Sequence, residues 1–569
     1  MKTYDFIILG AGSAGCVLAN RLSSNPNFNV CLIEAGPKDK DIRLHVPIGF
    51  AFFGTTSRKY NWGFDTVPQK EFEKVTVMEP ATSMVDSAGG VHEVQNEVED
   101  HRKGYQPRGK TLGGSSAINA MLYVRGHSWD YDHWRDLGNE GWSYKDVLPY
   151  FKKCEHNEVH NNEYHGQNGP LNVCKIRHTN KPTQDFVKTG STIFGYNDDF
   201  NGENQEGIGF YQTTQKDGKR CSAAKAYLVP ILDRENLTVL TDTHVNKIVI
   251  EGDTATGVEC INEDGEFFTV NANKEVLLSS GAFGSPQILL RSGVGDASEI
   301  TKHGIDHKID LPGVGKNLQD HIDYLSVHKY NSLSLIGFSL RSIFIKYPFE
   351  ILKYIFTKTG LFTSTIAEAG GFIRSRGDIE VPDIQLHFAP AMVVDHGRTN
   401  VWGHGLSCHT CLLRPKSRGE VTLNSSDPMD DPKIDPKFLS HPDDMKVMID
   451  GYKKMMKIMN TKPFSKYTSK HVQRPVDLSD DADIEQAIRE EADTVYHPVG
   501  TCMMGNSDMA VVDSSLKVHK MNSLRVVDAS IMPTLVGGNT NAPTIMIGEK
   551  AADLIPVSYT HLRAHETAD

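Results

Sequence analysis

The sequence has no uninterrupted apolar run long enough to span a bilayer, which takes about 20 residues as a helix. A membrane-spanning protein is therefore not expected. A cleavable leader is not expected either, because Tyr4 to Gly10 already read as a buried strand. Basic residues are not in excess. Lys and Arg number 60 against 72 Asp and Glu, a formal charge of -12, the wrong sign for a general nucleic-acid binder. Cysteines are few: nine in 569 residues, scattered and odd in number. That suits a reducing compartment better than a disulfide framework. A cytoplasmic location follows, with association at the inner face of a membrane as an addition to it. Cys408 and Cys411 have C-x-x-C spacing, but no second pair accompanies them. Residues three apart on a strand face opposite ways, so no metal site is expected. What is there is an ordinary globular composition, 39% hydrophobic and 23% charged. The chain is too long for one core, which implies two domains or more.

The N-terminal stretch is dense in signal. An apolar run, Phe6 to Leu9, feeds a turn holding Gly10, Gly12 and Gly15. A helix-like segment, Cys16 to Leu22, leads to a second apolar strand ending at Glu34. Gly10 permits the tight turn, Gly12 lets a pyrophosphate approach the backbone, and Gly15 lets helix and strand pack closely. Free N–H groups at the helix start attract phosphate. Glu34 has two oxygens to receive a ribose diol. The spacing predicts a dinucleotide contacted by Gly10, Gly12, Ser13, Ala14, Gly15, Glu34 and Ala35. It does not separate NAD from FAD.

Four further segments do. They are Pro107 to Gly126, with Gly113-Gly114-Ser115-Ser116 inside it; Gly281 to Gly295; His497-Pro-Val-Gly-Thr-Cys-Met-Met-Gly505; and Leu524 to Leu554, with Asp528 and Gly538-Asn-Thr-Asn-Ala-Pro-Thr544. In this order they resemble the glucose–methanol–choline family of flavin oxidoreductases, over the chain to about residue 555. Within it the chain is most similar to bacterial acceptor-linked alcohol and choline dehydrogenases. The resemblance implies an α/β fold: a Rossmann-like FAD-binding domain from separated segments, and an α+β substrate domain with an antiparallel sheet. It implies FAD held by Thr111, Gly114, Ser115 and Asn119 along the flavin and pyrophosphate, by Val245 at the adenine, and by Asp528, Ala529, Asn541 and Thr544. Some relatives carry a histidine, joined covalently to the flavin, just before that asparagine. Here the residue is Ile118, so non-covalent FAD is expected.

The activity implied is oxidation of an alcohol, a primary one for preference, by hydride transfer to flavin N5. Electrons then pass to a quinone or another acceptor. The hydroxyl proton needs a base, and histidine titrates near neutrality. His497, in a turn made rigid by Pro498 and Gly500, is the expected base. Asn539 is expected to hydrogen-bond the alcohol oxygen, which an amide N–H does without taking the proton. The alternatives are choline oxidation and an oxidase using oxygen. Choline would need an aromatic or anionic cage, for which Trp62, Trp402 and Glu368 are candidates. Less favoured are a hydroxynitrile lyase and a light-driven fatty-acid decarboxylase, both on fold-level analogy.

The FAD domain is expected to comprise about 1–160, 205–310 and 495–556, and the substrate domain 161–204 and 311–494. Alternation in Asp383-Ile-Gln-Leu-His-Phe and Gly419-Glu-Val-Thr-Leu-Asn predicts antiparallel strands in the latter. Residues 70–104 read either as a lid or as a neutral insertion. Ser332 to Phe362 is apolar with interspersed cations, and Pro348 should kink or break any helix there. It reads as helices packed on the substrate domain in preference to an amphipathic membrane-touching segment. The tail, 557–569, leaves the family pattern and reads as appended sequence in place of the natural C-terminus.

Overall fold

The structure, a computed structural model, describes residues 2–53, 58–78, 82–85, 91–94, 97–399 and 401–566. Its first sheet forms around the N-terminal strand Lys2–Leu9, in which Phe6 to Leu9 are wholly buried. Val30–Ile33 and then Leu237–Leu240 pair parallel on one side of it. On its other side runs the long strand Phe267–Leu278. That strand pairs parallel with Lys2–Leu9 and with Leu524–Val526, and antiparallel with Thr254–Ile261, which His244–Glu251 flanks. Helix Ser13–Leu22 and the last helix, Asn541–Glu566, share one apolar core with the sheet. A sheet covered on both faces needs continuous apolar runs, which Val-Cys-Leu-Ile at 30–33 and Phe-Ile-Ile-Leu at 6–9 supply. Arg21 reaches Glu549 at 2.6 Å and fastens the two helices together.

A second, antiparallel sheet runs in the order Gly207–Phe210, Ala369–Ile373, Ile384–Ala389, Gly403–Leu412, Ile322–Lys329, Asp493–Thr494. The alternation at 384–389 sorts its faces. Ile384, Leu386 and Phe388 pack with Met448, Ile449 and Met455 of helix Pro442–Met459, so Gln385, His387 and Ala389 face the other way. Two readings of the sequence differ from this sheet. Gly207–Phe210, grouped with the nucleotide segments, is its edge strand, because its glycines fit closely against Gly370 and Gly371. Glu420–Thr422 pairs with Lys433–Asp435 in a separate ribbon. Cys408 and Cys411 are buried, free and on one strand. Among the described residues no group of side chains could hold a metal.

The excursion at 70–104 is a ribbon. Lys74–Met78 pairs with Glu97–His101, and Thr82–Val85 with Val91–Val94. Phe72 stacks on Phe438 at its base, with the Arg102 guanidinium 3.9 Å from the Phe72 ring. None of its described residues is among those lining the cavity described below. Residues 79–81, 86–90 and 95–96 lie outside the described set. The tail set aside by sequence is helical to Glu566, continuing the last helix, with 567–569 outside the described residues.

Candidate active site

A cavity of about 530 Å³ lies between the two sheets, from the glycine turn to His497 and Asn539. At its first end, Gly10 has φ +101°, and a Cβ there would stand 2.5 Å from the Ser279 carbonyl oxygen. A Cβ on Gly15 would stand 1.9 Å from the Gly10 oxygen. Helix and turn therefore meet without side chains between them, as the spacing predicts. The helix begins at Ser13, earlier than expected, with no side-chain cap on its first N–H groups. Those groups point a partial positive charge at the turn. Glu34 accepts hydrogen bonds from the Ala11 and Gly36 N–H groups, both at 2.9 Å. Burial pushes its carboxyl up to about 7, against the pull of those bonds and of Lys110.

The remaining sequence candidates fall around this cavity with two exceptions. Gly12, Ser13, Ala14, Ala35, Gly114, Ser115, Asn119, Val245, Asp528, Ala529, Asn541 and Thr544 line it. Gly15 lies behind the turn. Thr111 is fully buried and its hydroxyl donates to the Pro37 carbonyl at 2.7 Å, so its side chain is not in the wall. Ser13 donates to the Asn541 side chain at 2.7 Å, which joins the starts of the two helices. Asp528 accepts from the Gly281 N–H and the Ser285 hydroxyl, and burial raises its carboxyl above the usual range.

At the other end, Asn539 Nδ2 stands 3.1 Å from His497 Nε2. The Asn539 carbonyl accepts from Gln385 Nε2 at 3.2 Å. On its far side, His497 Nδ1 stands 3.0 Å from His321 Nδ1, and His321 Nε2 stands 3.1 Å from the Leu413 carbonyl. This chain of contacts has one neutral solution. A carbonyl only accepts, so His321 carries its proton on Nε2. Its Nδ1 is then an acceptor and receives the proton of His497 Nδ1. His497 Nε2 is left with a lone pair, toward the Asn539 amide. Burial holds both rings neutral: His321 is lowered to about 3, and His497 well below its ordinary value, with His321, His387 and Arg108 adding to the effect.

The backbone aims the His497 ring. Tyr496 adopts φ +73°, a strained value for a bulky residue, and Gly500 adopts +92°. The His497 N–H donates to Asp320 at 2.8 Å, and Asp320 also accepts from Gln106 and Thr494. Asp320, His321 and Gln385 were not singled out in the sequence. Their only signal is an Asp-His pair ahead of an apolar strand, and nothing in the spacing ties residue 321 to residue 497 across 176 positions.

Comparison with known proteins bears on this geometry. Signatures described as GMC oxidoreductase match residues 4–323 and 415–548. The chain belongs to the GMC oxidoreductase family. It is an FAD-dependent oxidoreductase acting on alcohol donors. An alcohol dehydrogenase [acceptor] of Pseudomonas putida is 44% identical, over 97% of this chain and 95% of the relative. A mitochondrial choline dehydrogenase of Mus musculus is 40% identical, over 97% and 89%. Among solved structures, pyridoxine 4-oxidase from Mesorbium loti superposes with TM-score 0.82 at 27% identity, covering 98% and 99% of the two chains. A formate oxidase gives 0.84 at 25%, covering 99% of each.

The cavity of this GMC oxidoreductase fits FAD on its own chemistry. It offers a glycine cradle and helix start for a pyrophosphate, Glu34 for a diol, and Arg291, whose buried Nη1 has no hydrogen-bond partner within the chain. Ile118, where some family members carry the flavin-linked histidine, lines the wall.

Proposed function

We propose that this GMC oxidoreductase converts an uncharged primary alcohol to the aldehyde, with His497 as base and Asn539 as the donor to the alcohol oxygen. The reading rests on the tautomer chain from Leu413 through His321 to His497. A neutral Nε2 facing the cavity is the acceptor that an alcohol proton requires. The second N–H of Asn539 is available to an alcohol oxygen, and Gln385 keeps the amide from rotating. As the proton moves to Nε2, His497 gains a charge, which the acceptor at Nδ1 stabilises. FAD, when bound, supplies the acceptor for the electron pair that leaves the substrate carbon with its hydrogen. Residue 118 is isoleucine in place of the histidine that some family members join to the flavin, so FAD is held without a covalent link. The electrons leave finally to a separate small-molecule acceptor.

An uncharged substrate is favoured over choline by the walls. The cavity wall includes the apolar side chains of Ile336, Phe338, Ile366, Met392 and Val393. Of the cage candidates, Trp402 is 58% exposed and Glu368 is buried among Thr183, Asn180 and Ser364, while Trp62 lines the cavity beside His244 with the Lys110 cation already over its ring. Anaerobic titration of the yellow protein tests the reading. Aliphatic or aromatic primary alcohols should bleach the flavin and choline should not; bleaching by choline alone would overturn the choice of substrate. His497→Ala should slow bleaching by ~100-fold or more while FAD stays bound.

A further inference from the structure

The helical segment Ser342–Thr357 is built with its polarity reversed. It starts with a π-helical turn, Ser342–Lys346, and continues as the α-helix Tyr347–Thr357, with Pro348 accommodated in the first turn. A helix on a globular protein normally turns its apolar stripe inward. Here the inward residues are held by hydroxyls. Ser342 bonds His404 at 2.6 Å, Tyr347 donates to the Gly337 carbonyl, and Tyr354 donates to the Gly218 carbonyl at 3.0 Å. The apolar side chains point to solvent: Leu340, Phe344, Ile345, Phe349, Ile355 and Phe356 are each more than half exposed, Phe356 at 81%. A monomer rarely exposes so much contiguous apolar surface without a use for it.

Charge identifies what covers it. Arg341, Lys353 and Lys358 lie within or beside the segment, while the Lys346 amine turns inward and donates to the Leu335 carbonyl at 2.8 Å. Lys216 and Lys219 are exposed on the hairpin whose Gly218 receives Tyr354. Glu350, the acid of the segment, is drawn inward, its carboxylate accepting the Leu361 N–H at 2.8 Å. Apolar side chains rimmed by cations match the interface of an anionic bilayer. Among the described residues no helix is long and apolar enough to cross one, so the segment lies along the surface.

We propose that Leu340–Phe356 docks this protein on an anionic phospholipid surface. Docking there sets the cavity against the lipid, because Ile336, Gly337 and Phe338, next to the segment, line the cavity wall and Tyr347 is bonded to Gly337. Apolar alcohols and a lipid-dissolved electron acceptor would then reach the site from the bilayer. That consequence rests on the proposed function; the docking itself does not.

The test is flotation of the FAD-loaded full chain with phosphatidylcholine vesicles, with and without phosphatidylglycerol. The protein should rise with the anionic vesicles and be released by salt. Phe344→Glu combined with Phe356→Glu should cut the floated fraction by about tenfold or more. Neither residue lines the cavity, so reduction by a water-soluble alcohol should be unchanged in the variant, which also shows that it is folded. Wild-type protein that stays at the bottom in low salt overturns the proposal, as does equal flotation of the variant. A dimer that the variant dissolves, without flotation, assigns the patch to a second copy and also overturns it. Flotation reads no turnover, so its failure is separate from a failure of the catalytic reading.

Discussion

Replacing His321 with alanine removes the acceptor for the His497 Nδ1 proton while leaving every cavity-lining side chain in place. The buried N–H that remains has two outcomes. It stays unsatisfied, which costs ~1–3 kcal/mol, or the proton moves to Nε2, where it occupies the lone pair that should receive the alcohol proton. The second outcome is favoured by the cost of the first. With each 1.36 kcal/mol worth tenfold in rate, flavin reduction should slow by roughly 5- to 160-fold. That is milder than loss of the base itself, which costs ~100-fold to 10⁴-fold. Asparagine at 321 sets an amide oxygen near the place of Nδ1 and should recover most of the loss. The assay is anaerobic stopped-flow bleaching by a primary alcohol, with FAD content measured on the same samples. The reasoning is refuted if His321→Ala reduces at the wild-type rate with FAD retained. It is refuted equally if His321→Asn is as slow as the alanine variant, since a packing role would not distinguish them in this way.

Gly15→Ala should yield protein that purifies without its yellow colour, because the new Cβ would lie 1.9 Å from the backbone oxygen of Gly10; an FAD-loaded variant of normal stability would contradict the close packing. Burial lifts Glu34 to about 7 in the cofactor-free protein, and its anion is the better acceptor for a diol. FAD affinity of stripped protein should therefore rise with pH through about 7 and lose that slope in Glu34→Gln, as calorimetry would record. Burial lowers the pKa of His497, so the base stays neutral below the ordinary 6.5. Flavin reduction should then hold its rate as pH falls from about 8 to about 6; a loss of rate centred on the ordinary value would show an unburied base.

The nucleotide end was legible because its information is local. Turn, helix and acid follow one another within Phe6 to Glu34, and their spacing is the geometry. The second sheet was partly legible through the alternation at 384–389, since period two marks a strand with two different faces. His321 and Gln385 were not, because their roles exist only where three strands and a loop converge. Composition alone also misread Ser342–Thr357. It records that apolar residues recur at helical spacing, but not that Ser342, Tyr347 and Tyr354 take the inward positions by bonding to the body. The edge strand Gly207–Phe210 was misgrouped for a similar reason: four residues of Gly-Ile-Gly-Phe carry no mark of their neighbours.

The strand Phe267–Leu278 is flanked by Lys2–Leu9 and by Leu524–Val526, and the helix after Gly12 is covered by the helix that starts at Asn541. The unit formed by residues 2–33 is thus completed by residues 524–555. At about 5–20 residues per second, the apolar face of residues 6–33 waits roughly half a minute to two minutes for its cover. Pairing at such separation gives a high contact order and slow closure. Truncation ahead of Leu524 would therefore leave residues 6–33 uncovered, and nascent protein of this kind is a natural client for a chaperone that shields apolar surface during synthesis.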